Sequence, residues 1–252
     1  AVDLNADLGE GTPHDAGLLG IVSSASVACG FHAGSPQVMV ETARAAVHRR
    51  VSVGAHPSYE DRDGFGRRPV PMDPADLVAL VAYQVGAMAA AAGVAGTAVR
   101  FVKPHGALYN RAATDAEVAE AVVAAVTVAG RSIGNPALSL LCPAGSEMAR
   151  RAERSGVRWH AEAFADRLYT PDGSLVSRSQ PGSVISDPAR VARQAVDLAV
   201  RGRVTAHDGT SVEVRADSIC LHGDTPGALG LARAVRQALE DAGVAIAAFH
   251  AT

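Results

Sequence analysis

The sequence predicts an α/β fold in which about seven parallel strands are joined by crossover helices and closed into one barrel. Three observations predict it. Strand-like apolar runs alternate with helix-like segments along all 252 residues. No composition break, linker or internal repeat divides the chain, so a single domain over 1–252 is expected. The length is ordinary for one α/β barrel. An open doubly wound sheet is the competing arrangement. The chain has no GxGxxG and no Walker A loop to support a nucleotide-binding version of it.

The elements follow in order. VDLNA (2–6) and SSASVAC (23–29) read as strands, and a helical spacing then runs from Pro36 to Arg49. VSVGA (51–55) is the third strand, followed by a Gly-, Arg- and Pro-rich loop to Met72. Asp73-Pro74 places a cap before a first-turn proline and opens an Ala-rich helix to about Ala92. VRFV (99–102) is the fourth strand, and Thr114 with Glu117 reads as a capping box for the next helix. ALSLLC (137–142) precedes a helix at about 145–155 that ends near Gly156. VRWHAEA (157–163) leads into a polar loop, and Asp187-Pro188 opens a helix to about Gly202. RVTAHDGTSVEV (203–214) reads as a hairpin turning at Asp208-Gly209. DSICLH (217–222), a helix over about 226–242 and VAIAAF (244–249) as a last strand-like run close the chain.

Composition narrows the function classes. Apolar residues make up 48% and charged residues 19%, values of a folded globular chain. A net charge of −3 gives no reason to expect nucleic acid or an anionic membrane as partner. No run of about 18 apolar residues predicts a membrane-spanning helix. The opening AVDLNADLGEG has neither the basic nor the long apolar stretch of a signal peptide. Cys29, Cys142 and Cys220 are widely spaced without a CxxC, so buried free thiols in a reducing cytoplasm are expected.

Ionisable residues follow the strands. Asp7 and Glu10 follow the first, His32 the second, His56 the third, and Lys103 with His105 the fourth. Glu162, Asp166 and Arg167 follow the sixth, and His222 with Asp224 the seventh. In a parallel barrel all strand C-termini face one side, so these groups converge. Each also has a plain structural reading. Asp7 could cap a turn at Gly9, His32 a helix, and His222 with Asp224 another helix start. Glu162, Asp166 and Arg167 could form an ion-pair cluster, and Lys103 an exposed loop. Convergence of so many favours a site.

Asp7, His56 and His105 make an economical triad for a divalent metal such as zinc. The same groups could act without metal, with a carboxylate as base, histidine or lysine on an oxyanion and arginine on a substrate carboxylate. No HExxH or HxH decides between these. The loop YEDRDGFGRR (59–68), ending in Arg67 and Arg68, and the loop FADRLYTPDGSLVSRSQ (164–180) suit lids or anion clamps.

DLNADLGEG, ACGFHAGSP, VGAHPSYEDRDGFGRR, VKPHGALYN, FADRLYTPDGSLVSR and ICLHGDTP, in this order, resemble the signature blocks of the LamB/YcsF family. The chain departs at Ser26, where the family usually has Asn, and at Ser35, where it usually has Asp. The resemblance implies a distorted (β/α) barrel of the seven-stranded glycoside hydrolase/deacetylase type. It implies a part in ATP-dependent 5-oxoprolinase, opening 5-oxo-L-proline to L-glutamate with separate B and C subunits. It also implies kinship to deacetylases in which an Asp and two His hold a divalent ion, the roles that would fall to Asp7, His56 and His105.

On that reading Asp7 or Glu162 is the base, with Asp166 also catalytic, and Lys103 and His105 stabilise an oxyanion or phosphate. Arg68 or Arg167 pairs with the substrate carboxylate, and His32, His222 and Asp224 bind substrate. ATP is a co-substrate; without a Walker motif its handling falls to partner subunits, and a homo-oligomer is compatible with the sequence. The alternatives are a stand-alone metal-dependent amidohydrolase or deacetylase and a non-catalytic substrate-binding subunit.

Overall fold

The computed structural model describes residues 1–178, 180–223 and 227–249. Seven parallel strands form a closed barrel: β1 (Asp3–Leu8), β2 (Ser24–Ala28), β3 (Ser52–His56), β4 (Phe101–Val102), β5 (Ser139–Pro143), β6 (Trp159–Phe164) and β9 (Ser218–Leu221). They neighbour one another in that order, and β9 pairs with both β6 and β1 to shut the ring. Closure excludes the open doubly wound arrangement. The predicted hairpin is present as an antiparallel pair, β7 (Arg203–Thr205) and β8 (Ser211–Glu213).

Helices surround the ring: α1 (Asp15–Leu18), α2 (Pro36–Arg49), α3 (Pro74–Val94), α4 (Gly106–Thr114), α5 (Ala116–Ser132), α6 (Glu147–Ser155), α7 (Pro188–Val196) and α8 (Ala228–Asp241). α7 runs on into a π-helical turn, Asp197–Arg201, which stops at the left-handed Gly202. α3 is long and apolar enough to cross a membrane by length and composition. Its Leu77, Val81, Val85 and Met88 are buried in the core instead, and Gln84 from the same face holds Ser58 through both backbone groups at 3.0 and 2.8 Å.

β1 shows why the barrel has a polar interior. Leu4, Ala6 and Leu8 join the apolar core beneath the helices. Asp3, Asn5 and Asp7 alternate with them, and a period of two puts them on the opposite, inward face. There Asp3 accepts from the hydroxyls of Ser23, Ser24 and Ser218 at 2.6, 2.7 and 2.5 Å. β3 turns Gly54 inward because a side chain there would overlap the Phe101 ring of β4. All three cysteines are free and buried, as the spacing predicts.

Three expectations are corrected. The helix after the fourth strand is capped by Asp115, which accepts from the backbone of Glu117 and Val118, and not by Thr114. Thr114 instead ends α4, a helix that starts directly after the KPH segment and has no counterpart in the sequence expectations. The strand-like run VAIAAF adds no strand: β9 already closes the ring, the barrel has no edge left, and the segment makes only a bridge from Ile246 to Val2. Its Phe249 packs on Phe101 and His160 with ring centroids 5.2 and 4.2 Å away, covering the end of the barrel opposite the site.

Candidate active site

The strand C-termini open into a cavity of about 880 Å³. At its floor lies Lys103, 3% exposed, at the end of β4. Its Nζ donates to Asp7 Oδ1 at 2.8 Å and to Asn5 Oδ1 at 3.2 Å, contacts Cys220 Sγ at 3.1 Å, and pairs with Glu162 Oε1 at 2.8 Å. Burial opposes its charge, but Asp7, with Cys220 and Glu162, outweighs burial and holds the ammonium well above the usual lysine range. Burial likewise works against the Asp7 carboxylate, and His56 and Lys103 together hold it well below its ordinary value. Glu162 also accepts from Tyr109 Oη at 2.6 Å and Asn5 Nδ2 at 3.1 Å. Burial and Glu162 push the Tyr109 phenol well up, so it stays a donor.

On the other side of Asp7 stand the histidines. His56 Nδ1 donates to the Lys103 carbonyl at 2.7 Å, and His105 Nε2 donates to the Phe65 carbonyl at 2.9 Å. The remaining nitrogens, His56 Nε2 and His105 Nδ1, meet at 2.9 Å. His32 stacks flat on His105 at 3.8 Å and reaches Glu10 Oε1 with Nε2 at 3.2 Å. Burial first, then neighbouring histidines, holds the His105 imidazole down to about 3 and His32 lower still, so both are neutral near pH 7. Asp7 Oδ2 lies 3.4 Å from His56 Nε2. Among the described residues two groups of ligand atoms gather within 4.8 Å of one another, Glu10 with His32, His56 and His105, and Asp7 with Cys220 and His222; neither is the predicted Asp7, His56 and His105.

Beyond the lysine, Asp166 accepts from His222 Nδ1 at 2.8 and 3.0 Å, and Phe164 stacks on that imidazole. Burial would raise the Asp166 carboxyl, but His222 outweighs it and lowers it. Arg167 is buried beside the cavity, where its guanidinium donates to the Val176 carbonyl at 2.6 Å. Burial first, and then the nearby Arg178, disfavour its charge. Two guanidinium groups at one wall make a natural seat for an anion.

The structure thus brings together Asp7, His56, Lys103, His105, Glu162, Arg167 and His222 around the cavity, with His32 and Asp166 directly behind them. Arg68 is corrected: its side chain is 65% exposed and tied to Asp61, and Arg67 lines the cavity in its place. Asp224 lies outside the described residues. Asn5, Tyr109, Cys220 and the Phe65 carbonyl join the site without a sequence expectation, and Glu10 was expected only as a strand-end acid. Alternation along DLNADL carries a signal for Asn5, and Tyr109 stands one helical turn after His105.

The loop 59–68 is anchored firmly. Asp61 accepts from Gly64 N and Arg68 N at 3.0 Å each, and Arg62 donates to the carbonyls of Gly30 and Gly34 at 2.8 and 2.6 Å. Phe65 has φ 54°, a left-handed conformation costly for a bulky residue, which aims its carbonyl at His105. Gly66, at φ 67°, lies so close that a Cβ would stand 2.7 Å from His105 Cδ2 and 2.9 Å from His32 Cβ. Gly66→Ala is therefore expected to cost about 1–3 kcal/mol of stability and to displace His105. Urea unfolding and the imidazole NMR signals check this, and unchanged His105 signals contradict it.

A parallel seven-stranded barrel with buried lysine, histidine and carboxylate groups at its mouth defines the class, and it shares its fold with a deacetylase barrel. A structure described as T48 deacetylase with substrate superposes with a TM-score of 0.51 at 15% identity, over 98% of this chain and 86% of that one, a likeness in fold alone. The chain belongs to the LamB/YcsF family, whose profile matches residues 2–252. It is 52% identical over 253 residues to a protein of Paracidovorax citrulli named as the A subunit of 5-oxoprolinase, covering 98% of this chain and 99% of that one. A Mycobacterium leprae protein of the same name is 49% identical, with 98% of each chain covered. The lactam utilization protein from Thermus thermophilus superposes with a TM-score of 0.91 at 45% identity, over 98% of this chain and 99% of that one.

Proposed function

We propose that the chain is the ring-opening component of an ATP-dependent 5-oxoprolinase and works with separate B and C subunits. Full-length relatives at about half identity, named as the A subunit of 5-oxoprolinase, support the activity. The observation that carries the mechanism is the buried Lys103, held between Asp7 and Glu162 at the floor of the cavity.

A five-membered lactam is a stable amide, and ATP coupling overcomes this. Transfer of the γ-phosphoryl group to the lactam oxygen forms an O–P bond and releases ADP. Water then adds to the ring carbon, and the ring nitrogen leaves with a proton to give an acyl phosphate. A second water converts that to L-glutamate and phosphate. Lys103, whose N–H groups are engaged by Asp7, Asn5 and Glu162, contributes its positive charge at the cavity floor to the oxygen that becomes negative in these steps. Arg67 and Arg167 suit the substrate carboxylate or the phosphate, both of which are bidentate partners for a guanidinium.

Asp7 and Glu162 have their oxygens committed to Lys103, His56, Asn5 and Tyr109. With their oxygens taken up in this way, they serve as positioning residues. The water-activating role suits His222, whose Nδ1 is fixed by Asp166 and whose other nitrogen can accept a proton and return it to the ring nitrogen. ATP is delivered with the partner subunits, and the free buried thiols fit a cytoplasmic setting.

Reconstitution tests this reading. The chain with its B and C subunits, ATP and 5-oxo-L-proline is expected to form glutamate and ADP in equal amounts, and the chain alone to form neither. Glutamate formed by the chain without ATP would overturn the proposal in favour of a stand-alone amidohydrolase.

A further inference from the structure

His56 and His105 present a problem of charge that their own surroundings define. A carbonyl oxygen only accepts, so the 2.7 Å contact of His56 Nδ1 with the Lys103 carbonyl puts the proton on that nitrogen. The 2.9 Å contact of His105 Nε2 with the Phe65 carbonyl does the same there. With those two nitrogens engaged, His56 Nε2 and His105 Nδ1 face each other across 2.9 Å, close enough to need a proton or a cation between them. Two facing lone pairs repel unless a positive species sits with them. Glu10 Oε1 lies 3.7 Å from His105 Nδ1 and 3.2 Å from His32 Nε2, which closes a group of four donor atoms.

A second carboxylate stands close to these rings, with Asp7 Oδ2 3.4 Å from His56 Nε2. Three imidazole nitrogens and one carboxylate oxygen are the donor set of zinc and its neighbours. Metal-bound histidines also characteristically donate their second nitrogen to a carbonyl or carboxylate, as His56 and His105 do here.

We propose that Glu10, His32, His56 and His105 form a binding site for a divalent transition-metal ion, zinc foremost, while Asp7 remains the partner of Lys103. A modest opening of the His56–His105 pair, to about 3.3 Å, brings these two nitrogens to tetrahedral spacing. His32 Nδ1 is buried without a hydrogen-bond partner, so the ligand bond of this ring lacks the outer anchor that the other two have. The site belongs to the chain alone and does not rest on the oxoprolinase reading.

The test is metal binding by the chelator-stripped full chain, with Zn²⁺ followed by calorimetry and Co²⁺ by its visible absorption. One ion per chain is expected, with the intense visible bands of low-coordinate Co²⁺. His56→Ala and His105→Ala should weaken binding by about 100-fold or more, and His32→Ala by less. Glu10→Gln should weaken it by about 10-fold or more, and Asp7→Asn should leave it within about 2-fold; these two variants remain informative where a histidine variant fails to fold. Circular dichroism confirms folding of each. No stoichiometric binding, together with a ¹⁵N NMR signal for a protonated His56 Nε2, would overturn the proposal by showing a proton where the ion is placed. Binding that survives Glu10→Gln but is lost in Asp7→Asn would overturn the ligand set. Reconstituted oxoprolinase activity is scored separately, so either reading can fail without the other.

Discussion

Lys103→Met is expected to lose about 3–5 kcal/mol of folding stability and to abolish glutamate formation, because it strands two buried carboxylates. The lysine Nζ lies 2.8 Å from both Asp7 Oδ1 and Glu162 Oε1, and no solvent replaces it at 3% exposure. Loss of activity alone would not separate chemistry from unfolding, but a second substitution does. Adding Glu162→Gln removes one stranded charge and keeps an oxygen to accept from Tyr109. The double variant should therefore recover a large part of the lost stability in urea unfolding. Activity should stay at least about 10²–10³-fold down, the usual effect of removing an oxyanion-stabilising donor. Near-normal turnover in either variant, assayed with the partner subunits, would remove Lys103 from the mechanism.

The site is legible in the sequence to the extent that it follows strand geometry. Lys103, His105, His56 and Asp7 stand at strand ends, and a closed parallel ring brings such ends together whatever the separation along the chain. Asn5 is legible in principle, since DLNADL alternates polar and apolar residues with the strand period, but strand-end position alone does not single it out. The choice between Arg67 and Arg68 has no such periodic basis. It is set by Asp61, which captures both the backbone and the side chain of Arg68 and leaves Arg67 to face the cavity. Nor could the sequence show that Glu10 joins His32 and His105. That grouping depends on ring orientations fixed by the Lys103 and Phe65 carbonyls, far away along the chain. α4 escapes a sequence reading because the KPHG segment has the composition of a turn, and the short helix that follows ends directly against α5 at Asp115.

Asp3 supplies the second large expected effect, from beneath the lysine. Ser218 Oγ donates to Asp3 Oδ2 at 2.5 Å and accepts from Asn5 Nδ2 at 2.8 Å, so a hydrogen-bonded path runs from Asp3 through Asn5 to Glu162 and Lys103. Burial raises the Asp3 carboxyl from 3.8 to about 6, despite the hydroxyls of Ser218, Ser23 and Ser24 that favour its charge, and the nearby Glu162 adds to the rise. The sign of the stability effect follows from proton uptake. Between these two values the folded protein keeps a proton that the unfolded chain releases, so this group's contribution is fully present below pH 3.8 and is lost as pH climbs through about 6. The shift corresponds to about 3 kcal/mol. Asp3→Asn removes this dependence and substitutes a constant cost or gain of repacking. Its stability relative to the parent chain, read from urea unfolding, should improve by up to about 3 kcal/mol between pH 4 and pH 7. A difference that stays constant with pH would show that Asp3 is ionised throughout, and would require a cation near the barrel floor to hold it so. The same variant should lower turnover through Asn5, because an amide at position 3 no longer offers two acceptor oxygens to Ser23, Ser24 and Ser218. This effect should appear mainly in kcat, since Asp3 lies below the cavity and touches no substrate.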